Sequence, residues 1–296
     1  MVIMDVTLTT QDNEDTCISA EFWCLAEDQF DTQILSEGLC LIPTSTRKKG
    51  ELTQGKIPAP DTSWEISTSY EASLDINNQL LPLLRMLDGK QKTLQDLKQE
   101  HNLIYGIELF IYAYERQIPR MKLTQEMIEF MSEIGGMARI NIIIYPDDLP
   151  PDLELKASQG TSIKVAFLVK GADTQPDLNP QLLQVSPHAS WIQGEQTSDG
   201  AVWYLETLEE ETDDTEELLL AMIDTLKEEK ESLISQKEEQ NLSYEIVVYA
   251  HVRNRQEPAI TAKENVISFL HEIGATLEFV LFYTAEENRY EDDGLI

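Results

Sequence analysis

Hydrophobic and polar residues alternate along several short stretches of the chain, a pattern typical of half-buried β-strands. The first such stretch places Ile18, Ala20, Phe22 and Cys24 on one face of the predicted strand. A second lies in the second half of the chain, where Ile163, Val165, Phe167 and Val169 share a face. The same alternation predicts strands at residues 64–70, 105–115, 138–145, 202–208, 244–253 and 276–283.

Helices are predicted between these strands. They cover residues 31–38, 75–100 and 124–134 in the first half, and 179–185, 215–240 and 262–273 in the second. The two longest have leucines three and four residues apart, which places them on one helical face. Gly135 and Gly274 are natural C-caps. The order of elements predicts an α/β (α+β sandwich) fold with two tandem βαβαβαβ-like units, each a four-stranded sheet with helices on one face.

The two halves are copies of one unit. A shift of 139 residues lays the second half on the first without gaps over residues 64–145. The matched residues include Trp64 with Trp203, Leu80-Leu81 with Leu219-Leu220, Arg116-Gln117 with Arg255-Gln256, and Glu133-Ile134-Gly135 with Glu272-Ile273-Gly274. An internal repeat of this length predicts two structurally equivalent units.

We therefore predict a first repeat unit at residues 1–150, a linker at residues 151–160 and a second, more acidic repeat unit at residues 161–296. Three prolines, at positions 146, 150 and 151, are typical of a rigid connection. The carboxylates of Asp147, Asp148 and Asp152 among them form an alternative, divalent-cation site. The interleaved prolines favour the linker interpretation.

The strands also predict a second face that is rich in aromatic residues. In the first copy Phe110, Tyr112 and Tyr114 point away from the predicted core, and in the second copy Tyr249 and His251 occupy that face. Such a surface is expected to be covered. It is a possible sheet-face interface, formed by the two sheets packing together or by a homo-oligomer. A partner-binding groove is the alternative.

Charge narrows the function classes. The 296 residues include 22 Lys and Arg against 54 Asp and Glu, for a formal net charge of −32. A negative field of this size disfavours direct nucleic-acid binding and contact with anionic membranes, and it attracts basic protein surfaces. The 42% hydrophobic content is sufficient for a folded core, which excludes a wholly disordered acidic chain.

The acid is concentrated in one segment. Residues 153–296 contain 10 basic and 29 acidic residues, whereas residues 1–152 contain 12 and 25. We define the acidic strip as Glu206, Glu209, Glu210, Glu211, Asp213, Asp214, Glu216 and Glu217. Its last members precede or begin a predicted helix, where carboxylates complement the helix dipole. A solvated loop and a docking site for a basic partner are both consistent with the strip.

No catalytic motif is found in the sequence. It has no GxxxxGK[ST] loop, no GxGxxG after a strand, no GxSxG and no HExxH. The four His are scattered without ligand spacing, so we expect no metal and no cofactor. Three Cys without a CxxC pair predict reduced thiols. With no signal peptide visible at residues 1–10 and no long apolar run, we expect a cytoplasmic protein without a membrane span.

One loop carries the main cluster of basic residues. Arg47, Lys48, Lys49 and Lys56 lie in the Gly- and Pro-containing segment 43–62. The first three, with Trp64 just after the segment, form a possible loop site for a small anionic ligand. An intramolecular or homo-oligomeric salt bridge is the more plausible use of these cations. A core position is the favoured interpretation of Trp64.

Several segments together resemble the bacterial domain of unknown function 4279 family. They are the opening strand, Pro43-Thr44 before a basic glycine loop, Ser63-Trp64-Glu65, the leucine-rich helix, and Glu133-Ile134-Gly135 before a strand that ends at Tyr145. The resemblance covers nearly the whole chain as two copies, of which the first keeps the pattern better. It implies a small α/β domain without an established activity. By analogy with members of such families that lie beside toxin genes, it implies an immunity role.

Together these observations predict a bacterial or phage non-enzyme that binds a protein. The specific hypothesis is an immunity or anti-defence inhibitor whose acidic surface covers the basic, nucleic-acid-binding face of a toxin or defence nuclease. The alternatives are a small-ligand-binding or regulatory module at the loop site and a self-associating scaffold. A hydrolase of unrecognised type is a further option.

Overall fold

The structure of the chain is a computed structural model that describes residues 15–52, 57–114, 117–145, 160–171, 189–193, 202–252 and 258–283. Most of the predicted linker lies outside the described residues, as do Lys56, Asp147, Asp148 and Asp152. The predicted helical segment at residues 179–185 also lies outside them.

The first half of the chain forms eleven elements in its described part. They are β1 (Cys17–Ala26), α1 (Thr32–Leu39), β2 (Ser45–Arg47), β3 (Thr62–Ser67), β4 (Glu71–Ala72), α2 (Asn77–Leu87), α3 (Gln91–His101), β5 (Ile104–Tyr114), β6 (Met121–Leu123), α4 (Gln125–Ile134) and β7 (Met137–Tyr145). The alternation of strands and helices confirms the predicted α+β class.

The second half repeats this order. Its described elements are β8 (Ser162–Gly171), β9 (Ala189–Gln193), β10 (Val202–Thr207), β11 (Glu210–Glu211), α5 (Thr215–Lys227), α6 (Lys230–Gln240), β12 (Leu242–Val252), β13 (Ile260–Ala262), α7 (Glu264–Ile273) and β14 (Ala275–Tyr283). The internal repeat seen in the sequence is therefore a repeat of structure.

Each long helix predicted from leucine spacing is two helices, which corrects the prediction. In the first half, Gly89 adopts a left-handed backbone with φ of 71° and separates α2 from α3. Such a conformation favours glycine. The second half breaks between Lys227 and Lys230 without a glycine. The spacing of the leucines does not reveal this break, because Leu87 before it and Leu94 after it are both buried.

The sheet of the first unit has the strand order β7-β5-β1-β3-β2, and β4 also pairs with β1. Strand β1 lies at the centre and is antiparallel to both β3 and β5. The four predicted strands are β1, β3, β5 and β7. The sheet is wider than predicted because β2 and β4, three and two residues long, are too short to show an alternating pattern.

The sheet of the second unit has the strand order β6-β14-β12-β8-β10-β9, and β11 also pairs with β8. Its edge strand β6 comes from the first repeat, with Met121 opposite Phe279 and Leu123 opposite Leu277. Helix α4 from the first repeat packs on α7. Strand β12 is parallel to β14 and antiparallel to β8.

The compact units consequently differ from the sequence repeats. One unit contains Met1–Arg120 and Arg139–Leu153, and the other contains Met121–Ala138 and Glu154–Ile296. The division predicted at residues 151–160 follows the repeat, whereas the segment Met121–Ala138 of the first repeat belongs to the second folded unit. That segment joins the second unit because its strand completes the hydrogen bonding of β14 and its helix buries apolar residues against α7.

Helices cover one face of each sheet. In the first unit Trp64 donates from Nε1 to Ser36 Oγ on α1 over 3.0 Å, and the Tyr105 hydroxyl donates to the Leu94 carbonyl on α3 over 3.0 Å. Tyr244 makes the equivalent bond to Leu233 on α6. Phe22, Trp64 and Tyr105 are fully buried there. We call the opposite surface of each sheet its non-helix face.

Candidate binding sites

The acidic strip lies on β10, β11 and the start of α5. Two of its carboxylates form ion pairs within the second unit. Glu206 pairs with Lys164 at 2.8 Å and Glu216 pairs with Lys263 at 2.7 Å, and both glutamates are about four-fifths buried. These two residues stabilise the fold locally and are poorly placed to meet a partner.

Three more strip residues accept hydrogen bonds from nearby groups. Asp214 is the N-cap of α5 and accepts from the Glu216 backbone N–H over 2.8 Å. Such caps stabilise a helix by roughly 1 kcal/mol. Glu209 accepts from the Ser162 hydroxyl, and Glu211 accepts from the Gly160 backbone N–H. Their carboxylates are exposed, but each has a structural use.

The remaining strip residues are Glu210, Asp213 and Glu217. All three are exposed, and in the described part of the chain their side chains take part in no hydrogen bond or ion pair. We call them the three unpaired strip residues. Unlike the other five strip residues, they make no side-chain contact of this kind that stabilises the described part of the second unit.

The aromatic residues predicted on the sheet faces are half-buried. In β5 Phe110, Tyr112 and Tyr114 alternate with buried neighbours, as the sequence pattern indicates. In the second unit the His251 ring stacks on Phe282 at 4.8 Å between centroids, and Tyr249 stacks on the same ring at 6.3 Å. Phe282 is 44% exposed, so this aromatic group reaches the surface of its unit.

Two of the three described cations of the basic loop, those of Arg47 and Lys49, bond within the first unit, whereas the Lys48 side chain is exposed. Arg47 pairs with Asp61 at 2.7 Å, and Lys49 donates from Nζ to the Glu27 carbonyl. The backbone N–H of Lys48 donates to Glu51 over 3.0 Å. Trp64 is fully buried. The arrangement supports the intramolecular use of the loop and places Trp64 in the core, where a ligand in the loop does not reach it.

A carboxylate cluster that the sequence did not single out lies on the non-helix face of the first sheet. Glu21 on β1 is directly opposite Glu108 on β5, and Glu65 on β3 is opposite Trp23, two residues along β1. Like charges directly opposite in a sheet are destabilising. We call Glu21, Glu65 and Glu108 the glutamate cluster. The sequence signal that could have indicated this cluster is a glutamate at a polar position in each of three otherwise apolar strands.

Burial and neighbouring carboxylates perturb the carboxyls of Glu21 and Glu108. Burial, with the charge of Glu65, raises the pKa of Glu21 to about 7, although the Ser67 hydroxyl donates to it over 2.9 Å. Burial also raises the pKa of Glu108, against the opposing effects of Arg139 and of a hydrogen bond from Asn141. Ionisable groups with perturbed pKa values are enriched at functional sites.

Glu21→Gln is expected to stabilise the protein at about pH 8 by about 1 to 3 kcal/mol and to have little effect near pH 5. The folded pKa is above the ordinary value, so stability is greatest below about pH 4.5, falls as pH rises toward about 7 and levels off above it. Chemical denaturation at the two pH values measures this. Glu129→Gln, at an exposed site on α4, is the control and should change neither value. An equal effect at both pH values would contradict the prediction.

The non-helix face of the second unit carries a charge-balanced site instead. Glu245 accepts hydrogen bonds from Lys122 and Lys170, and its side chain is only 6% exposed. Burial alone would raise the pKa of Glu245, but the hydrogen bonds from the two lysines outweigh it and hold the pKa at about 2. Lys122 also approaches Glu278 at 3.9 Å. This carboxylate is fully compensated.

Neither a metal site nor a membrane span emerges from the described residues. None of their His, Cys, Asp and Glu side chains form a group of three or more that could hold a metal ion. None of their helices combines the length and apolar character needed to cross a membrane. The three cysteines are free thiols, with Cys24 buried and Cys40 exposed.

The fold and these surfaces define a tandem α+β sandwich. The family model described as "Domain of unknown function (DUF4279)" matches residues 15–147 and again residues 161–283. The chain belongs to this family and contains two copies of its domain, which confirms the resemblance. The comparisons with curated proteins and with solved structures found no match.

Proposed function

We propose that this protein is a non-enzymatic binding protein that docks a basic protein partner on its acidic strip. The observation that carries the proposal is the exposure of Glu210, Asp213 and Glu217 without internal partners among the described residues. Ion pairs with lysine use Glu206 and Glu216, so the three unpaired strip residues are the ones available to a partner.

Electrostatics supports a basic partner over other classes. The net charge of −32 gives long-range attraction to cationic surfaces, which accelerates association and makes it sensitive to salt. The strip concentrates that field at the start of α5. Docking on these exposed carboxylates breaks no internal hydrogen bond, so the main cost is the loss of their hydration.

The partner class that fits this chemistry best is a nucleic-acid-binding toxin or defence nuclease. Its binding face must be basic, because it neutralises phosphates. A row of carboxylates on the inhibitor presents negative charge in place of the phosphates and covers that face. The proposed role is therefore that of an immunity or anti-defence inhibitor in the cytoplasm of a bacterium or of a phage-infected cell.

The test reverses the charge of the three unpaired strip residues, so no ion pair or hydrogen bond within the described residues is lost. Glu210→Lys, Asp213→Lys and Glu217→Lys are combined, and the partner captured from the native host by the wild-type protein is purified and titrated against both forms. We expect affinity to fall by at least about a hundredfold, since each removed contact is replaced by repulsion.

A matched control keeps the net charge the same. Asp224→Lys, Glu228→Lys and Glu238→Lys change three other exposed carboxylates in the second unit, whose side chains take part in no hydrogen bond or ion pair within the described residues. This control should weaken binding only slightly, through the reduced overall field. Equal loss in both variants would show that net charge alone is responsible and would overturn the strip as the docking site.

Self-association has one structural observation in its favour. The stacked group of Tyr249, His251 and Phe282 reaches the surface of the second unit, and such exposed apolar groups mark interfaces. A homo-oligomer formed through this aromatic group is the second candidate. Light scattering at low and high salt distinguishes it, because apolar association persists in salt while strip-mediated binding weakens.

A further inference from the structure

The first residues of the chain carry a pattern that the fold described above does not account for. Every second residue from position 2 is apolar, in the order Val2, Met4, Val6 and Leu8. Apart from Ile3, the positions between and after them are polar. This alternation is typical of an extended segment that buries one side. Residues 2–9 lie outside the described residues and precede residue 15, where the family match begins.

Thr16 fixes the point at which this segment joins the first unit. Its hydroxyl donates to the Gln117 carbonyl over 2.8 Å and accepts from the Tyr114 backbone N–H over 3.1 Å. The backbone N–H of Ser73 donates to the Thr16 carbonyl over 3.0 Å. The chain before Thr16 therefore leaves the unit beside the end of β5.

An apolar, aromatic surface lies next to this point on the non-helix face of the first sheet. Tyr112 on β5 is directly opposite Cys17, the first residue of β1. The Tyr70 ring contacts the Tyr112 ring with 5.2 Å between centroids, and Phe110 is half-buried on the same face. Ile143 on the neighbouring strand β7 is 50% exposed. We call Cys17, Tyr70, Phe110, Tyr112 and Ile143 the aromatic patch.

The position of Ile143 on this face follows from its neighbours along β7. Ile140 and Ile142 are buried, whereas Asn141 donates a hydrogen bond to Glu108 on the non-helix face of β5. Ile143 alternates with Ile142 and so shares the side of Asn141. Apolar surface of this kind, with polar side chains at its rim, marks a place where another segment packs.

The segment can bury its apolar side on a face of the sheet but not at an edge beside β1. Cys17 is already paired with Tyr112 on one side and with Ala72 of β4 on the other. Residues 11–15, which are all Gln, Asp, Asn or Glu, are typical of a turn that reverses the chain.

The length of the segment is sufficient to cover the aromatic patch. Strand β5 lies between β1 and β7, so the patch is about 10 Å wide at a spacing of about 4.8 Å between strands. Residues 2–9 span about 26 Å when extended. The segment can therefore cross the patch after the turn at residues 11–15.

We propose that residues 2–8 fold back as a strap over the aromatic patch, with the side chains of Val2, Met4, Val6 and Leu8 packed on it. Attachment through Thr16 gives the strap a high effective concentration at the patch. A second copy of the chain is the less favoured occupant, because copies with a net charge of −32 repel each other. Release of the strap uncovers apolar surface, so the strap controls access to the non-helix face.

The test measures how fast iodoacetamide alkylates the three thiols of the folded full chain. Cys17 belongs to the aromatic patch, Cys40 is exposed at the end of α1, and Cys24 is buried in the core. A protease that cleaves after glutamate separates the three, since Glu21 and Glu37 lie between them, and mass spectrometry gives each rate. Cys40 is the internal reference for reagent, and an unreactive Cys24 shows that the chain is folded.

Two variants with the same charge change test the strap. Val6→Asp with Leu8→Asp alters its apolar side, and Thr7→Asp with Thr9→Asp alters its polar side. The proposal predicts that the apolar-side variant raises the rate at Cys17, relative to Cys40, by at least about fivefold, because the released strap no longer covers the thiol. The polar-side variant should change this ratio by less than about twofold. Val6→Ala with Leu8→Ala, a milder change, should raise the ratio in the same direction and carries the test if the aspartates expose Cys24.

Three results would overturn the proposal. They are an unchanged Cys17 rate in both apolar-side variants, an equal increase in the polar-side variant, and a wild-type Cys17 rate that falls as protein concentration rises, which would show that a second copy covers the patch. All of these variants leave the acidic strip intact. Partner capture by the strip is therefore tested separately, and the two proposals fail independently.

Discussion

Replacing Lys122 with methionine is expected to lower the free energy of unfolding by about 3 kcal/mol. Lys122 and Lys170 together compensate Glu245, whose side chain is 6% exposed. Without Lys122, this buried carboxylate retains only Lys170, which is itself 38% exposed. Urea denaturation of the two proteins measures the difference. The matched control is Lys92→Met, at an exposed pair with Asp96, which is expected to cost less than about 0.5 kcal/mol.

The pH dependence of the same variant gives a second readout. Glu245 has a folded pKa of about 2, below its ordinary value, so its contribution is present above about pH 4.5 and is lost as pH falls toward 2. The Lys122→Met variant should lose part of this dependence. Combining Lys122→Met with Glu245→Leu should recover most of the stability, since no unpaired buried charge remains. Failure of the double variant to recover would contradict the assignment.

Trp64→Ala is the second large effect and is expected to cost about 3 to 5 kcal/mol. The side chain is fully buried, donates to Ser36 Oγ over 3.0 Å, and packs edge-on to Phe22 with 6.4 Å between ring centroids. Its removal leaves a cavity between β3 and α1 and takes away the donor to Ser36 Oγ, which keeps its own hydrogen bond to the Thr32 carbonyl. Thermal and urea denaturation give the magnitude.

Trp64→Phe is the control for this effect. It keeps much of the ring volume and loses the Ser36 bond, so it should cost about 1 to 2 kcal/mol. A loss below about 1 kcal/mol for Trp64→Ala would contradict a core position and would favour a ligand platform in the loop at residues 43–62 instead.

The fold class and its duplication could be predicted from the sequence. The spacing of apolar residues indicates each strand and helix locally, and the residues that match at an offset of 139 positions indicate the repeat. The sequence did not predict that Met121–Ala138 belongs to the second unit, since internal identity shows which segments are copies and not which strand each one pairs with. Lys122 is the clearest case. Its partner Glu245 is 123 residues away, and only the pairing of β6 with β14 brings the two together.

The acidic strip was visible from the sequence because its charges are contiguous. Which strip residues are unpaired was not, because Lys164 and Lys263 come from other elements and neutralise Glu206 and Glu216. The glutamate cluster is the opposite case, since its members lie on three different strands and each looks like an ordinary solvent-facing position. Register between strands, rather than composition, makes it a cluster.

The most direct test of the strip as the docking site is hydrogen exchange of the full chain, alone and bound to its purified partner. The account predicts that amides of residues 210–217 gain protection in the complex, because this short edge strand and first helical turn are the segment a partner covers. Unchanged exchange at residues 210–217, with protection confined to other segments of the bound chain, would contradict it.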